Sequence, residues 1–166
     1  MLEKTKRRFQ LEKLPVTVVN GNAEKLDLKD DSFDYVFSES VVIFTDLTKT
    51  LNELSRVLKK DGKLILIEMI AEHALTEELK SEICDFYGIK KILDEEGWKT
   101  SLQDAGFSQV EILKQQTSKL IKTEIQDLNQ SKDIRVEFYD LWEQHHQLME
   151  RYQNQLSYRV FRCFFS

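Results

Sequence analysis

The sequence predicts an α/β fold: a three-layer sandwich whose sheet is mostly parallel and ends in a C-terminal antiparallel strand. Three observations carry this. Short β-branched and aromatic runs, VTVV at 16–19, FDYVF at 33–37 and LILI at 64–67, alternate with segments whose apolar residues recur every three or four positions. These runs are apolar at consecutive positions, as in strands buried on both faces. The segment between the second and third runs has the helical period, and a strand–helix–strand unit of this kind is a right-handed crossover between parallel strands.

In chain order, residues 1–14 read as a helix with Leu2, Phe9 and Leu11 on one face and a wet face of Glu3, Lys4, Lys6, Arg7 and Arg8. Pro15 then precedes the first strand, 16–19, where its missing N–H does no damage. A charged connection, 24–32, leads to the second strand. A helix capped at Thr45 or Asp46 follows, with Leu47, Leu51, Leu54, Val57 and Leu58 facing the sheet, and the turn 59–62 with Gly62 ends it. After the third strand come a helix over 72–88 and a short helix over 98–105 stopped by Gly106. Residues 110–113 form a fourth strand. Ile134, Phe138, Leu141, Trp142, His145, Leu148, Met149 and Tyr152 mark a long striped helix, and YRVFRCFF at 158–165 is the last strand. All 166 residues read as one domain, with 118–155 as a helical insertion before that strand.

A net charge of −5 opposes binding to nucleic-acid phosphates or an anionic membrane, so the expected partner is a small molecule or a protein. No apolar stretch reaches spanning length and no signal segment follows the basic start, which reads as a cytoplasmic protein. Cys84 and Cys163 lie far apart without metal-ligand spacing, so no metal is expected and both thiols read as free. His145 and His146 are turned about 100° apart on their helix, which does not present two ligands on one face. His145 reads as a core or interface residue or as part of a substrate pocket.

Three segments together resemble class I S-adenosylmethionine-dependent methyltransferases of the small-molecule type, over roughly residues 1–113. VVNGNAEKLDLKDDSFDYVFSES is similar to the family's third strand, adenine-contacting turn and fourth strand. LNELSRVLKKDGKLILIE is similar to its next helix, turn and fifth strand, and LQDAGFSQVEI to its later helix and sixth strand. The resemblance implies a Rossmann-like sheet, S-adenosylmethionine as cofactor and a small-molecule methyl acceptor.

It also implies site residues. Gly21, Asn22, Ala23 and Glu24 fall at the adenine turn, where Asn22 stands in place of the family's acidic residue; a plain Gly-Asn turn is the alternative reading. Ser38, Glu39 and Ser40 fall beside the methionine end of the cofactor. Met1 and Leu2 open the helix that follows the family's ribose-binding strand. The histidine common after the fourth strand is replaced by Val42 and Ile43. This leaves Glu39 as a base or acceptor anchor, or merely a solvated carboxylate, and His73 as a second catalytic candidate.

The family opens with a strand, a glycine-rich turn, a helix and a second strand; these would precede Met1, and none of the five glycines here forms such a turn. The expectation is an N-terminally truncated methyltransferase impaired in cofactor binding. It would cover its exposed sheet edge by pairing 16–19 with 35–37 or by forming a homodimer. The competing class is a non-catalytic remnant or a dimeric assembly module.

Overall fold

The structure, a computed structural model, describes residues 2–73, 75–117, 135–152 and 154–166. Its spine is β2 (Leu58–Ala71), whose run LILI at 64–67 is bonded along both edges. On one side lies β1 (Phe33–Glu39), parallel to it, and on the other β4 (Leu156–Phe164), antiparallel. Beyond β4 lies β3 (Gln109–Thr117), antiparallel to β4, so the order is β1-β2-β4-β3 and the only reversed strand is the C-terminal one. The mixed sheet and its antiparallel last strand agree with the sequence expectation.

Side-chain alternation divides the sheet into two unlike faces. Val36 and Ser38, Leu64, Leu66, Glu68 and Ile70, and Ser157, Arg159, Phe161 and Cys163 share one face through the strand register. Helix α2 (Leu47–Val57) sets Leu51, Leu54 and Val57 into this core, and α4 (Glu95–Asp104) adds Trp98 and Leu102. Full burial of a leucine such as Leu51, Leu64 or Leu66 contributes about 1.5–3 kcal/mol each. Trp98 is fixed further by its indole N–H, which donates to the Met69 carbonyl at 3.1 Å. The opposite face is half exposed, and on β1 Tyr35 and Phe37 are 67% and 62% exposed.

The remaining described helices lie outside that pair. Helix α3 (Glu77–Tyr87) starts at the Thr76 cap, five residues later than the sequence spacing predicts, and ends on Gly88 at φ +67°. It buries Ile83, and α5 (Val136–Arg151) buries Leu148 beside it. The stripe expected on α5 is largely exposed at its N-terminal half, with Phe138, Leu141 and Trp142 all more than half accessible. Residues 118–134 of the expected insertion lie outside the described residues.

Two expectations are corrected. Residues 16–19 form no strand: Val16 and Val19 are 51% and 64% exposed, and β1 pairs only with β2 among the described residues. β-branched residues favour extended backbone but do not supply a ladder partner, and none stands beside them. The preceding α1 (Leu2–Leu11) buries nothing, so its expected apolar face is unpartnered. It closes with Leu14 N–H on the Phe9 carbonyl and Lys13 N–H on that of Gln10, around Lys13 at φ +52°. The second correction concerns Gly62, which lies within β2 rather than in a helix-ending turn. Between Phe33 and Tyr35, β2 contains three more residues than β1, and the excess folds into a bulge at 59–62. A Cβ on Gly62 would lie 2.8 Å from the Lys59 carbonyl and 3.0 Å from that of Phe33, so glycine is required by close approach.

Asp46 caps α2, accepting the Lys49 N–H at 3.2 Å. Asp46→Ala is expected to lower stability by about 1 kcal/mol in urea denaturation, and Asp46→Asn by much less. Equal midpoints for wild type and the alanine variant would remove the cap from this account.

Candidate functional site

The carboxyl ends of β1 and β2 place three small or acidic residues together. Ser38 is buried on the core face, Glu39 points to the open face, and Ser40 turns the chain at φ +50°. The Ser40 N–H donates to the Ile67 carbonyl at 2.9 Å, carrying the β1–β2 ladder one residue beyond the strand. The chain then folds into a 3-10 turn, Val42–Phe44. Its leading amides are held by Glu68 of β2: Oε1 accepts the N–H groups of Val41 at 3.2 Å and Val42 at 2.9 Å. Glu68 is fully buried, and burial pushes its carboxyl up to about 7 against the opposing pull of the backbone N–H groups.

The second cluster is the turn at 22–25. Asn22 Oδ1 accepts the Glu24 N–H at 3.0 Å and the Asn22 carbonyl accepts the Lys25 N–H at 3.0 Å. The side-chain oxygen expected to meet adenine is therefore engaged in an Asx turn. Glu24 reaches away from this turn, and its Oε1 accepts the Asp46 N–H at 2.8 Å. That bond joins the 22–25 turn to the segment that follows β1. The 22–25 turn is thus tied to the N-cap of α2, six residues past Ser40.

A clamp on α2 holds the connection in place. Glu53 Oε2 accepts the Leu26 N–H at 2.6 Å, while Arg56 donates to the carbonyls of Leu26 at 3.0 Å and Leu28 at 2.8 Å and to Asp30 at 2.5 Å. The Arg56 guanidinium and the Leu26 N–H hold the Glu53 carboxyl down at about 2.

The other expected residues are more scattered. His73 is exposed just beyond the end of β2, and Leu2 opens a helix that buries nothing; Met1 lies outside the described residues. Gly21 needs no glycine: a Cβ there would meet nothing within 4 Å. His145 Nδ1 lies 2.8 Å from the Tyr87 hydroxyl, a contact between α5 and α3, whereas His146 stacks on Trp142. A cavity of about 230 Å³ opens behind the 3-10 turn, walled by Val42, Ile43, Thr48, Lys90, Leu93 and Trp98. Cys84 and Cys163 are free thiols, the latter pushed up to about 12 by burial. Sequence reasoning missed Glu53, Arg56 and Glu68. The signals were an i, i+3 acid–base pair on a helix and one acidic residue inside an apolar strand.

Arg56→Ala is expected to cost roughly 1–2 kcal/mol and to raise proteolysis within 24–32, since three bonds to the connection are lost. The Glu53 carboxyl lies below its unfolded value. Its contribution is therefore full above pH 4.5 and disappears as pH falls through about 2. Acid titration of stability should show this component in wild type and lack it in Glu53→Gln.

The methyltransferase-domain family profile matches residues 1–66. The uncharacterized methyltransferase YodH of Bacillus subtilis is 34% identical over 161 residues, covering 97% of this chain and 69% of YodH. Among solved structures, a putative sarcosine dimethylglycine methyltransferase from Galdieria sulphuraria superposes with a TM-score of 0.74 at 16% identity. That match covers 97% of this chain and 64% of the other. Phosphoethanolamine N-methyltransferase 2 of Haemonchus contortus, solved with phosphomonomethylethanolamine and S-adenosylhomocysteine, gives a TM-score of 0.66 at 20% identity, covering 87% of this chain and 36% of that one. The strand order, the crossover through α2 and the extended match to YodH agree: the chain belongs to the class I S-adenosylmethionine-dependent methyltransferase family.

Proposed function

We propose that this chain serves the transfer of a methyl group from S-adenosylmethionine to a small molecule. The observation that carries the reading is the placement of Ser38, Glu39 and Ser40 at the carboxyl end of β1 beside its parallel neighbour β2, where ligands of open α/β sheets collect. Asn22, Ala23 and Glu24 would take the adenine end, beside the open space at Gly21, with Leu2 and Met1 nearer the ribose. Ser38, Glu39 and Ser40 would face the methionine end. When bound, the cofactor supplies a methyl group on a sulfonium, an electrophile that needs little beyond an aligned nucleophile.

The chain's own part is then positioning and proton handling. Glu39, exposed at the strand end and without an ion pair among the described residues, either accepts a proton from the attacking group or holds a cationic acceptor. His73, exposed past β2, is the alternative base. We read residues 1–166 as a single cytoplasmic domain, with the acceptor pocket built from 72–97 and from the 118–155 insertion. Among the described residues no helix is long and apolar enough to cross a membrane.

The five glycines here form no glycine-rich turn, so this chain alone is expected to hold the cofactor weakly. Calorimetry with S-adenosylmethionine should give a dissociation constant above about 100 μM, and a sub-micromolar value would refute the impairment. Preceding the chain with a strand, glycine-rich turn, helix and strand of this family should tighten binding at least tenfold, and Glu39→Gln in that fusion should lower turnover more than binding. A second reading, a non-catalytic module that pairs with its own copy, is favoured by the exposed Tyr35 and Phe37 on the edge strand. Light scattering at high concentration separates the two, since a strict monomer excludes the homodimer.

A further inference from the structure

The acidic residue inside the apolar spine is the feature that neither the family reading nor the proposed chemistry uses. Glu68 lies on the buried face of β2 between Leu66 and Ile70, with no exposed surface. One oxygen serves the Val41 and Val42 amides of the post-β1 turn, the Ile43 amide adds to their pull, and the other oxygen, Oε2, has no hydrogen-bond partner among the described residues. Directly opposite in register stands Arg159, the obvious counter-ion. Arg159 is committed elsewhere: its guanidinium donates to Glu72 at 2.8 and 2.9 Å and to Glu95 at 2.9 Å.

Among the described residues the other surroundings supply no cation. Helix α2 brings Thr50, Leu51, Leu54 and Val57 to the core, and residues 41–45 carry no ionisable side chain. On β1, Ser38 shares the face of Glu68 while Glu39 lies on the opposite one. On α4, Lys99 is bonded to Glu95 and Glu96. A buried carboxyl that sits beside an arginine without pairing to it, and that binds backbone amides on one side only, is not an ion pair holding the fold together.

We propose that Glu68 is a positioning residue: it latches onto β2 the turn at 41–44 that follows Ser38–Ser40, and it holds that turn closed in its proton-bearing form. The sign follows from linkage. In the closed turn burial raises the carboxyl to about 7, whereas in a turn opened to water it returns to its ordinary 4.5. The closed state therefore binds the proton more tightly, is fully favoured below pH 4.5, and loses that advantage as pH rises through about 7. The full difference corresponds to roughly 300-fold in the closed-to-open ratio. The latch stands on the two amide bonds and the full burial of Glu68; its bearing on methyl transfer rests on the function proposed above.

Amide hydrogen exchange of the full chain between pH 5 and 8.5, corrected for intrinsic rates and without cofactor, tests it. The protection of Val41 and Val42 should fall by at least tenfold as pH rises, while core amides such as Leu64 and Leu66 fall less. In Glu68→Gln, which keeps a carbonyl for the two amides and places a non-titrating NH₂ at the orphan position, the protection should be flat with pH. Flat protection in wild type, or an equal slope in the glutamine variant, overturns the proposal. If that variant fails to fold, the ¹³C carboxyl shift of Glu68 in wild type decides. A midpoint near 7 shared with the amides of Val41 and Val42 supports the latch, and an ordinary midpoint near 4.5 rejects it. Because no cofactor is present, failure of the methyl-transfer reading leaves this outcome unchanged.

Discussion

The two-sided hydrogen bonding of β2 is the constraint on which the rest of the structure depends. A strand bonded on both edges and buried on one face must be apolar at alternate positions and must have its helices on that face. Leu64, Leu66 and Ile70 meet both demands against α2 and α4. The parallel register with β1 then fixes where the carboxyl ends fall, so Ser38–Ser40 sits beside Ile67 and Glu68 rather than elsewhere on the rim. Antiparallel pairing with β4 brings Arg159 to the same end, where it gathers Glu72 and Glu95 under α4. The site is thus a by-product of strand register, positioned by main-chain bonds before any site side chain contributes.

Much of this was legible in the sequence because it depends on local pattern. The helical spacing of Leu47, Leu51, Leu54 and Val57, the cap at Asp46 and the run LILI each encode their own conformation, and together they force a crossover. Residues 16–19 show where local pattern stops. Val16, Val18 and Val19 carry strong strand preference, yet a strand is a property of two chains in register, and among the described residues nothing pairs with them. The stripe on α5 fails in the same way: amphipathicity reports what a helix can bury, not what stands opposite it.

The site was legible in position but not in connectivity. Asn22 and Glu24 were named from the family pattern for contacts to a ligand, and the structure shows both engaged within the protein, one closing its own turn and the other holding Asp46 N–H. Such bonds leave no spacing signature, since Glu24 and Asp46 are far apart in sequence. Glu53, Arg56 and Glu68 were missed because a helix-surface pair reads as solvated charge and a lone acid in a strand reads as an interruption. Their importance appears only when the backbone amides they satisfy are located.

The edge strand β1 has a consequence for the behaviour of the chain in concentrated solution. Its unpaired side, with Tyr35 and Phe37 standing out, is the kind of template on which other strands stack into aggregates. The strand carries acids at both ends of that aromatic pair. Asp34 is neutralised by Lys59 at 2.8 Å, whereas Glu39 retains an unanswered charge among the described residues. In parallel in-register stacking every Glu39 would face its own copy, and that repulsion opposes fibril-like growth.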